Sequence, residues 1–511
     1  MIKIKTKDFL RNTILFGIAI LLGVFANVIS LFGGNSFNTA VDIMFWAIIM
    51  LNIAIFSSIL SNIRRDFALF IFAVSFNILL LGRVYVTWFG HHDKLLLLLE
   101  AENFSKLFQA LQLVGVSLLF VFAAYKLGGI FWRQREEKCL NPTVSSVSRN
   151  PILPILRKLS EIVLYISSVP FLYILFQSAI AVVRGGYLNS FTNTTQIPSI
   201  VSRMSMFFVP AFAVFLATIP TRKQMKWPLM VYGIYMLSSL FTGRRNTLVC
   251  EALMLMIYFV MRDNLLSKDK RILKKSTVLY TGFFGIIAMY LLQLVAFVRA
   301  GITDKPRGLF ATLISFLNSQ GASFRVIMQT VNNINLFNPA TSYVYLFYPF
   351  EMFVHNNVIT RTLFGLKPII EVQTPEFVST THNFAHVLTY LVDPKRYLEG
   401  GGFGTSYVAE SYVSFGIIGL IVVSIFIGLI FRFFSSLLTR SWVVITCGLL
   451  AIKSFVYIPR DFALLWVTEV FNITYICFFV AIYLAALFIA KGTHVIYNKE
   501  VHKHVVLEEQ V

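Results

Sequence analysis

Apolar positions in this chain fall in long runs, and run length is what separates a membrane span from a buried core helix. A helix that crosses a bilayer needs about 20 mostly apolar residues. About twelve segments approach that length: 10–32, 40–61, 67–89, 107–131, 160–183, 201–219, 227–242, 246–261, 276–298, 406–431, 441–458 and 461–490. The pair on either side of Gly243 is short. No soluble domain interrupts the series, and no internal repeat suggests the inverted halves of a transporter. The pattern predicts an all-α polytopic membrane protein. The basic N-terminus, Lys3 to Lys7, resembles a signal n-region. The apolar stretch behind it is long enough to span and lacks a cleavage site, so it reads as a retained first span.

Charge orients the series. With the N-terminus inside, the inner segments hold Arg11, Arg64 and Arg65, a dense loop from Lys126 to Lys158, Arg222 to Lys226, Arg262 to Lys275, Arg432, Arg440 and a tail with Lys491 and Lys499. Short outer loops are poorer, as the positive-inside rule requires, so both termini are expected in the cytoplasm. Four regions follow: a transmembrane bundle over 1–298 with about nine helices, an extracytoplasmic segment over 299–405, about three further helices over 406–490, and a cytoplasmic tail over 491–511.

Composition agrees with this class. Of 511 residues 57% are hydrophobic and 13% charged, which excludes an ordinary soluble chain and a disordered one. The net charge of +20 would suggest nucleic acid in a soluble protein. Here orientation and the anionic inner leaflet explain it, and no nucleic-acid partner is expected. The four cysteines have no CxxC spacing and suggest neither a disulfide framework nor a thiol metal site.

Two cations break the charge rule. Arg244 and Arg245 fall in a tight outer turn, Phe241-Thr242-Gly243-Arg244-Arg245-Asn246. They either cap two hydrophobic helices or bind something anionic. Arg299, Arg325, Arg361, Arg396 and Arg460 also lie near the outer surface. A guanidinium fork binds phosphate oxygens bidentately, so such a group suits a lipid-linked phosphate if it converges. Scattered Arg snorkelling to water is the alternative.

The long outer segment should hold structure of its own. Residues Gly308 to Phe337 predict one or two amphipathic helices broken near Gly321 and lying on the membrane surface. The aromatic run Tyr343 to Phe350 is an interfacial belt or a platform for sugar rings. His382 and His386 are spaced i,i+4 and would share a helix face, which is also metal-ligand spacing. No further ligand completes a zinc set, so no metal is expected. Glu410 sits about one turn inside a span, where a carboxylate is a functional candidate or a structural partner for an Arg. The glycine-rich Gly400-Gly401-Gly402-Phe403-Gly404 before it offers permissive backbone.

These residues resemble a known family. Gly243-Arg244-Arg245 is similar to the Gly-x-Arg element of bacterial O-antigen and capsule repeat-unit polymerases of the Wzy type, and Gln320-Gly321-Ala322-Ser323 to their Gln-Gly-x-Ser element. The stretch His382 to Gly419, with His386, Tyr390, Pro394, Tyr397, Gly402 to Glu410 (including Tyr407) and Phe415 to Gly419, resembles the family most closely. Pro459-Arg460-Asp461 resembles an Arg element before the last span. The elements occur in family order over the C-terminal half.

The resemblance implies a fold similar to the C-type glycosyltransferases, no cofactor, and a place in a bacterial cytoplasmic membrane. It implies transfer of an oligosaccharide from one polyprenyl diphosphate carrier to the glycan on another, building an O-antigen, capsule or exopolysaccharide. Membrane lipid surrounds such an enzyme, and a chain-length regulator and a flippase of the same pathway are its implied partners. On this reading Arg244, Arg245 and Arg460, then Arg299 and Arg325, hold the diphosphate. Glu410, then His386, takes the acceptor proton, and Gln320, His382 and Tyr407 are further candidates. A lipid-linked oligosaccharide flippase or a ligase of the O-antigen type is the alternative. A flippase should place its charges in mid-helix around a central cavity.

Overall fold

The structure is a computed structural model that describes residues 6–90, 102–131, 152–192, 197–242, 245–266, 271, 275–299, 308–338 and 341–508. Among them the regular structure is helical. The chain packs as two units, one of Met1–Glu137, Leu253–Ser436 and Ile452–Thr468, the other of Lys138–Ala252, Leu437–Ala451 and Glu469–Val511.

The first unit begins with α1 (Thr6–Ser30) and α2 (Ser36–Leu60), which form a long hairpin, followed by α3 (Phe67–Phe89) and α4 (Phe104–Phe131). Residues Asn77–Leu81 within α3 make one π-helical turn. Asn77 steadies it: its Nδ2 donates to the Ala73 carbonyl and to Asn52 Oδ1 on α2, both at 2.8 Å, and its Oδ1 accepts from Tyr85 Oη. A π-turn re-aims the side chains that follow it, and the next residues are Gly82 and Arg83.

The second unit holds α5 (Ile152–Thr192), α6 (Ser199–Ala217) and α7 (Arg222–Ser238). Phe208 and Phe212 of α6 stack on Tyr232 of α7, with ring centroids 5.6 and 3.8 Å apart. Thr221 and Gln224 form a capping box that starts α7. Next come α8 (Arg245–Leu265), which begins in this unit, and α9 (Lys275–Arg299) of the first. Tyr232 Oη donates to the buried Glu251 of α8 at 2.8 Å, which ties α7 to α8.

Two short helices follow, α10 (Leu309–Gln320) and α11 (Ser323–Asn332), broken at Gly321 as the sequence predicts. The second helix is set deeper than a helix lying on a membrane surface would be, while Leu309 and Phe310 of α10 are exposed. Phe324, Val326, Ile327, Met328 and Val331 of α11 are buried, and the helix packs on α4 inside the protein. Its apolar stripe has a protein partner, so lipid is not needed to cover it. Gln293 of α9 fixes α10, donating to Ser315 and accepting from Ser319, both at 3.1 Å.

Short helices follow: α12 (Val344–Asn356), α13 (Val358–Phe364), α14 (Pro375–Thr380), α15 (Phe384–Val392) and α16 (Pro394–Leu398). Four carry a side-chain cap, from Asn357, Thr374, Asn383 and Asp393, which the sequence spells out just before each start. The chain ends with α17 (Tyr407–Phe434), α18 (Trp442–Tyr457), α19 (Trp466–Val470) and α20 (Ile473–Glu508).

Nine helices among the described residues are long and apolar enough to cross a membrane. They correspond to nine of the twelve sequence segments. The other three, at α7, α8 and α9, are helical but are not among these nine. α7 has 17 residues and opens with Arg222, Lys223 and Lys226. α8 carries Glu251, Arg262 and Asp263, and the apolar described part of α9 is Gly285–Phe297. α17 is also not one straight rod. At Phe415 and Gly416 its backbone leaves helical geometry, with Gly416 at φ +63 and ψ −155. Beside this break, Ser414 Oγ accepts the Leu346 N–H of α12 at 3.2 Å.

Candidate functional site

The first unit gathers the ends of α3, α10, α11 and α17 around the loop after α18. Glu410, in the first turns of α17, is fully buried. Its Oε2 accepts the Ala463 N–H at 2.8 Å, and its Oε1 has no hydrogen-bond partner among the described residues. Arg460, three residues before Ala463, donates from Nη1 to Gln320 Oε1 at 3.3 Å. One loop therefore orients a carboxylate through a backbone amide and carries a guanidinium held by Gln320.

Glycine makes this junction possible. A Cβ on Gly82 would lie 2.7 Å from the Leu317 carbonyl oxygen, and one on Gly321 would lie 2.1 Å from Arg83 N. Backbone thus meets backbone at the join of α3 and α10, which sets Arg83 beside Gln320. Arg83 is a cation inside an apolar span, about 9 Å of helix rise from its end at Phe89. A lone charge in span 67–89 was the sequence signal that could have found it.

Arg325 of α11 stacks on Phe403, its Cζ 4.8 Å from the ring centroid, and Arg396 of α16 lies over the same ring at 5.1 Å. The glycine-rich loop is shaped around Arg396. A Cβ on Gly401 would sit 2.7 Å from Arg396 Cγ, and Phe403 N donates to Thr389 Oγ1 at 3.1 Å. Two guanidinium groups held on one ring keep planar donor edges for an oxyanion.

The histidines do not share a helix face. Residues 381–383 lie outside any helix, and α15 starts only at Phe384, because Asn383 caps it through the Ala385 and His386 amides. His382 Nδ1 pairs instead with Glu351 Oε2 at 2.7 Å. Among the described residues no three His, Cys, Asp or Glu gather as a metal set. His386 Nδ1 lies 2.8 Å from Tyr397 Oη, whose proton goes to the Val372 carbonyl. That arrangement puts the imidazole proton on Nδ1 and leaves Nε2 as an acceptor. Burial lowers the His386 pKa below its ordinary value, while nearby Glu371 acts in the opposite sense. Glu371 itself accepts from Tyr348 Oη at 2.6 Å and Asn383 Nδ2 at 2.8 Å.

Tyr407 turns away from this region. It is fully buried, and its hydroxyl lies 2.5 Å from Ser117 Oγ within the helix bundle. Arg245 is the first residue of α8. Arg299 ends α9, with a side chain outside the described residues, and Arg244 lies outside them altogether.

The family of O-antigen polysaccharide polymerases, Wzy, matches residues 13–493, nearly the whole chain. The chain belongs to that family. No curated protein and no solved structure matches it. Membership makes it an integral membrane enzyme of polysaccharide biosynthesis, polymerising O-antigen repeat units. The match also reaches across the N-terminal half, where the sequence alone offered only hydrophobicity.

Proposed function

We propose that this Wzy polymerase works at the outer face of a bacterial cytoplasmic membrane, with both termini inside and residues 299–405 outside. It takes two polyprenyl-diphosphate-linked repeat units and transfers the glycan of one to the non-reducing end of the other. Under this reading 1–298 is a transmembrane bundle, 406–490 holds the C-terminal spans and 491–511 is a cytoplasmic tail. A flippase and a chain-length regulator act beside it.

The reaction breaks the bond between sugar C1 and a diphosphate oxygen, and the electron pair leaves with the diphosphate. The acceptor hydroxyl oxygen forms the new bond to C1 and gives its proton to a base. Attack opposite the leaving group inverts the anomeric carbon. A diphosphate leaves readily, so the main need is to stabilise its growing charge, and preorganised guanidinium groups supply that. Arg460 and Arg325 take this role, with Arg244, Arg245 and Arg299 carried on sequence grounds. Glu410 is the base. His386, with a free Nε2, is the reserve candidate, and no metal takes part.

One observation carries the reading. Glu410 is buried, its Oε2 fixed by the amide of Ala463 on the loop that carries Arg460, and its Oε1 has no partner among the described residues. A carboxylate oriented through one oxygen and without a hydrogen-bond partner at the other has a lone pair left to accept a proton.

Purified protein with lipid-linked repeat units tests it. Glu410→Gln keeps shape but loses basicity, and polymer should fall by about 10²-fold or more. Arg460→Ala should lose about 10²–10³ in rate. EDTA should leave the rate unchanged. Near-normal turnover by Glu410→Gln moves the base to His386. Activity lost to EDTA and restored by a divalent ion refutes the metal-free scheme.

A further inference from the structure

The start of α17 holds an unusual concentration of orphaned polar atoms. Thr405 Oγ1, Ser406 Oγ, Ser411 Oγ and Glu410 Oε1 are shut off from solvent and make no hydrogen bond among the described residues. Ser323 Oγ on α11, which packs against α17, is in the same state. None of these five residues is more than 4% exposed. Folded proteins satisfy nearly all buried polar atoms, because an unsatisfied one keeps its desolvation penalty with no return. Five within two packed helix starts therefore need an explanation, and a ligand supplying the missing partners gives one.

The chemistry of the set selects the ligand. Side-chain hydroxyls both donate and accept, which matches the hydroxyls of a sugar. A diphosphate fits poorly, since the Glu410 carboxylate would repel it. We propose that Ser323, Thr405 and Ser406 form the seat of the acceptor's terminal sugar, presenting its attacking hydroxyl to Glu410 Oε1. This rests on Glu410 being the base. The short helix bearing Glu410 lies between Gly404 at φ +81 and Gly416 at φ +63, positions where only glycine is unstrained.

The test exploits the absence of partners. Ser406→Ala and Thr405→Val each remove a hydroxyl that makes no hydrogen bond among the described residues. Their melting temperatures should stay level or rise. The acceptor probe is a repeat unit on a non-cleavable phosphonate analogue of the lipid diphosphate, which can accept but not donate. Titrated against a fixed lipid-linked donor, it should show KM raised about 3- to 10-fold per lost hydroxyl, with donor KM unchanged. Unchanged acceptor KM means that ordered water alone fills the site and overturns the proposal. A drop in melting temperature of several degrees assigns the hydroxyls to folding and also overturns it. Glu410→Gln separates the two levels. If it turns over normally, the reading of the base fails and takes the seat with it. If it is inactive while the hydroxyl variants keep acceptor KM, only the seat fails.

Discussion

Gly321→Ala is a single added carbon with a large expected effect. The new Cβ would meet Arg83 N at 2.1 Å, Arg83 Cβ at 2.9 Å and Gly82 C at 2.9 Å. Two of those three atoms are backbone and cannot rotate away. Ordinary contact begins at about 3.4 Å, so α10 and α3 must part by about 1 Å or more. Overpacking of this kind costs about 1–3 kcal/mol. The functional loss should be larger, because Gln320 moves with the helix end and takes its hydrogen bond to Arg460 with it. A misplacement of about 1 Å can cost about 10²-fold in rate. The assay pairs melting of the detergent-solubilised protein with polymer formed from lipid-linked repeat units. Gly17→Ala is the control, since a Cβ there meets nothing within 4 Å; it should be neutral or stabilise by up to about 1 kcal/mol. Wild-type melting and polymer yield for Gly321→Ala would refute the close join of α3 and α10, and with it the placement of Gln320 beside Arg460.

Three further outcomes are expected. Phe403→Leu keeps apolar bulk but removes the ring beneath Arg325 and Arg396; at about 0.5–1 kcal/mol per cation–π contact, donor KM should rise roughly 5- to 30-fold, and an unchanged KM would show the stack to be structural. Gly416→Ala forces a side chain into a backbone region that L-residues avoid, so stability should fall by about 1–3 kcal/mol in a melting experiment. Burial holds the His386 pKa below its ordinary 6.5, so the unfolded chain takes up this proton first as pH falls; the stability contributed by neutral His386 is present above about pH 6.5 and declines through the interval below it, and His386→Gln should flatten that limb of a melting-temperature profile against pH.

The sequence by itself determined the class of the molecule and most of its spans, because run length and charge are local properties that no tertiary contact alters. It also determined the break at Gly321 and carried the resemblance to the family that the match over residues 13–493 bears out. Two of the segments beside Gly243, at α7 and α8, pair apolar length with several charges, and a run of residues cannot say how these are accommodated. The paired histidines failed for a related reason: i,i+4 spacing places two side chains together only if the helix covers both, and Asn383 starts it between them.

Tertiary structure alone decided what surrounds Glu410. Its orienting amide comes from Ala463, and Gln320 meets Arg460 across 140 positions of sequence. Gly321 tolerates no Cβ because Arg83, far off in α3, occupies that space. Phe403 is a perch for two cations only because α11 and α16 converge on it. The orphaned hydroxyls at the start of α17 were equally invisible, since an unsatisfied atom is defined by neighbours it lacks and not by its own identity. Sequence names the groups able to do chemistry, while desolvation and contact, which depend on distant chain segments, decide which of them are placed to do it.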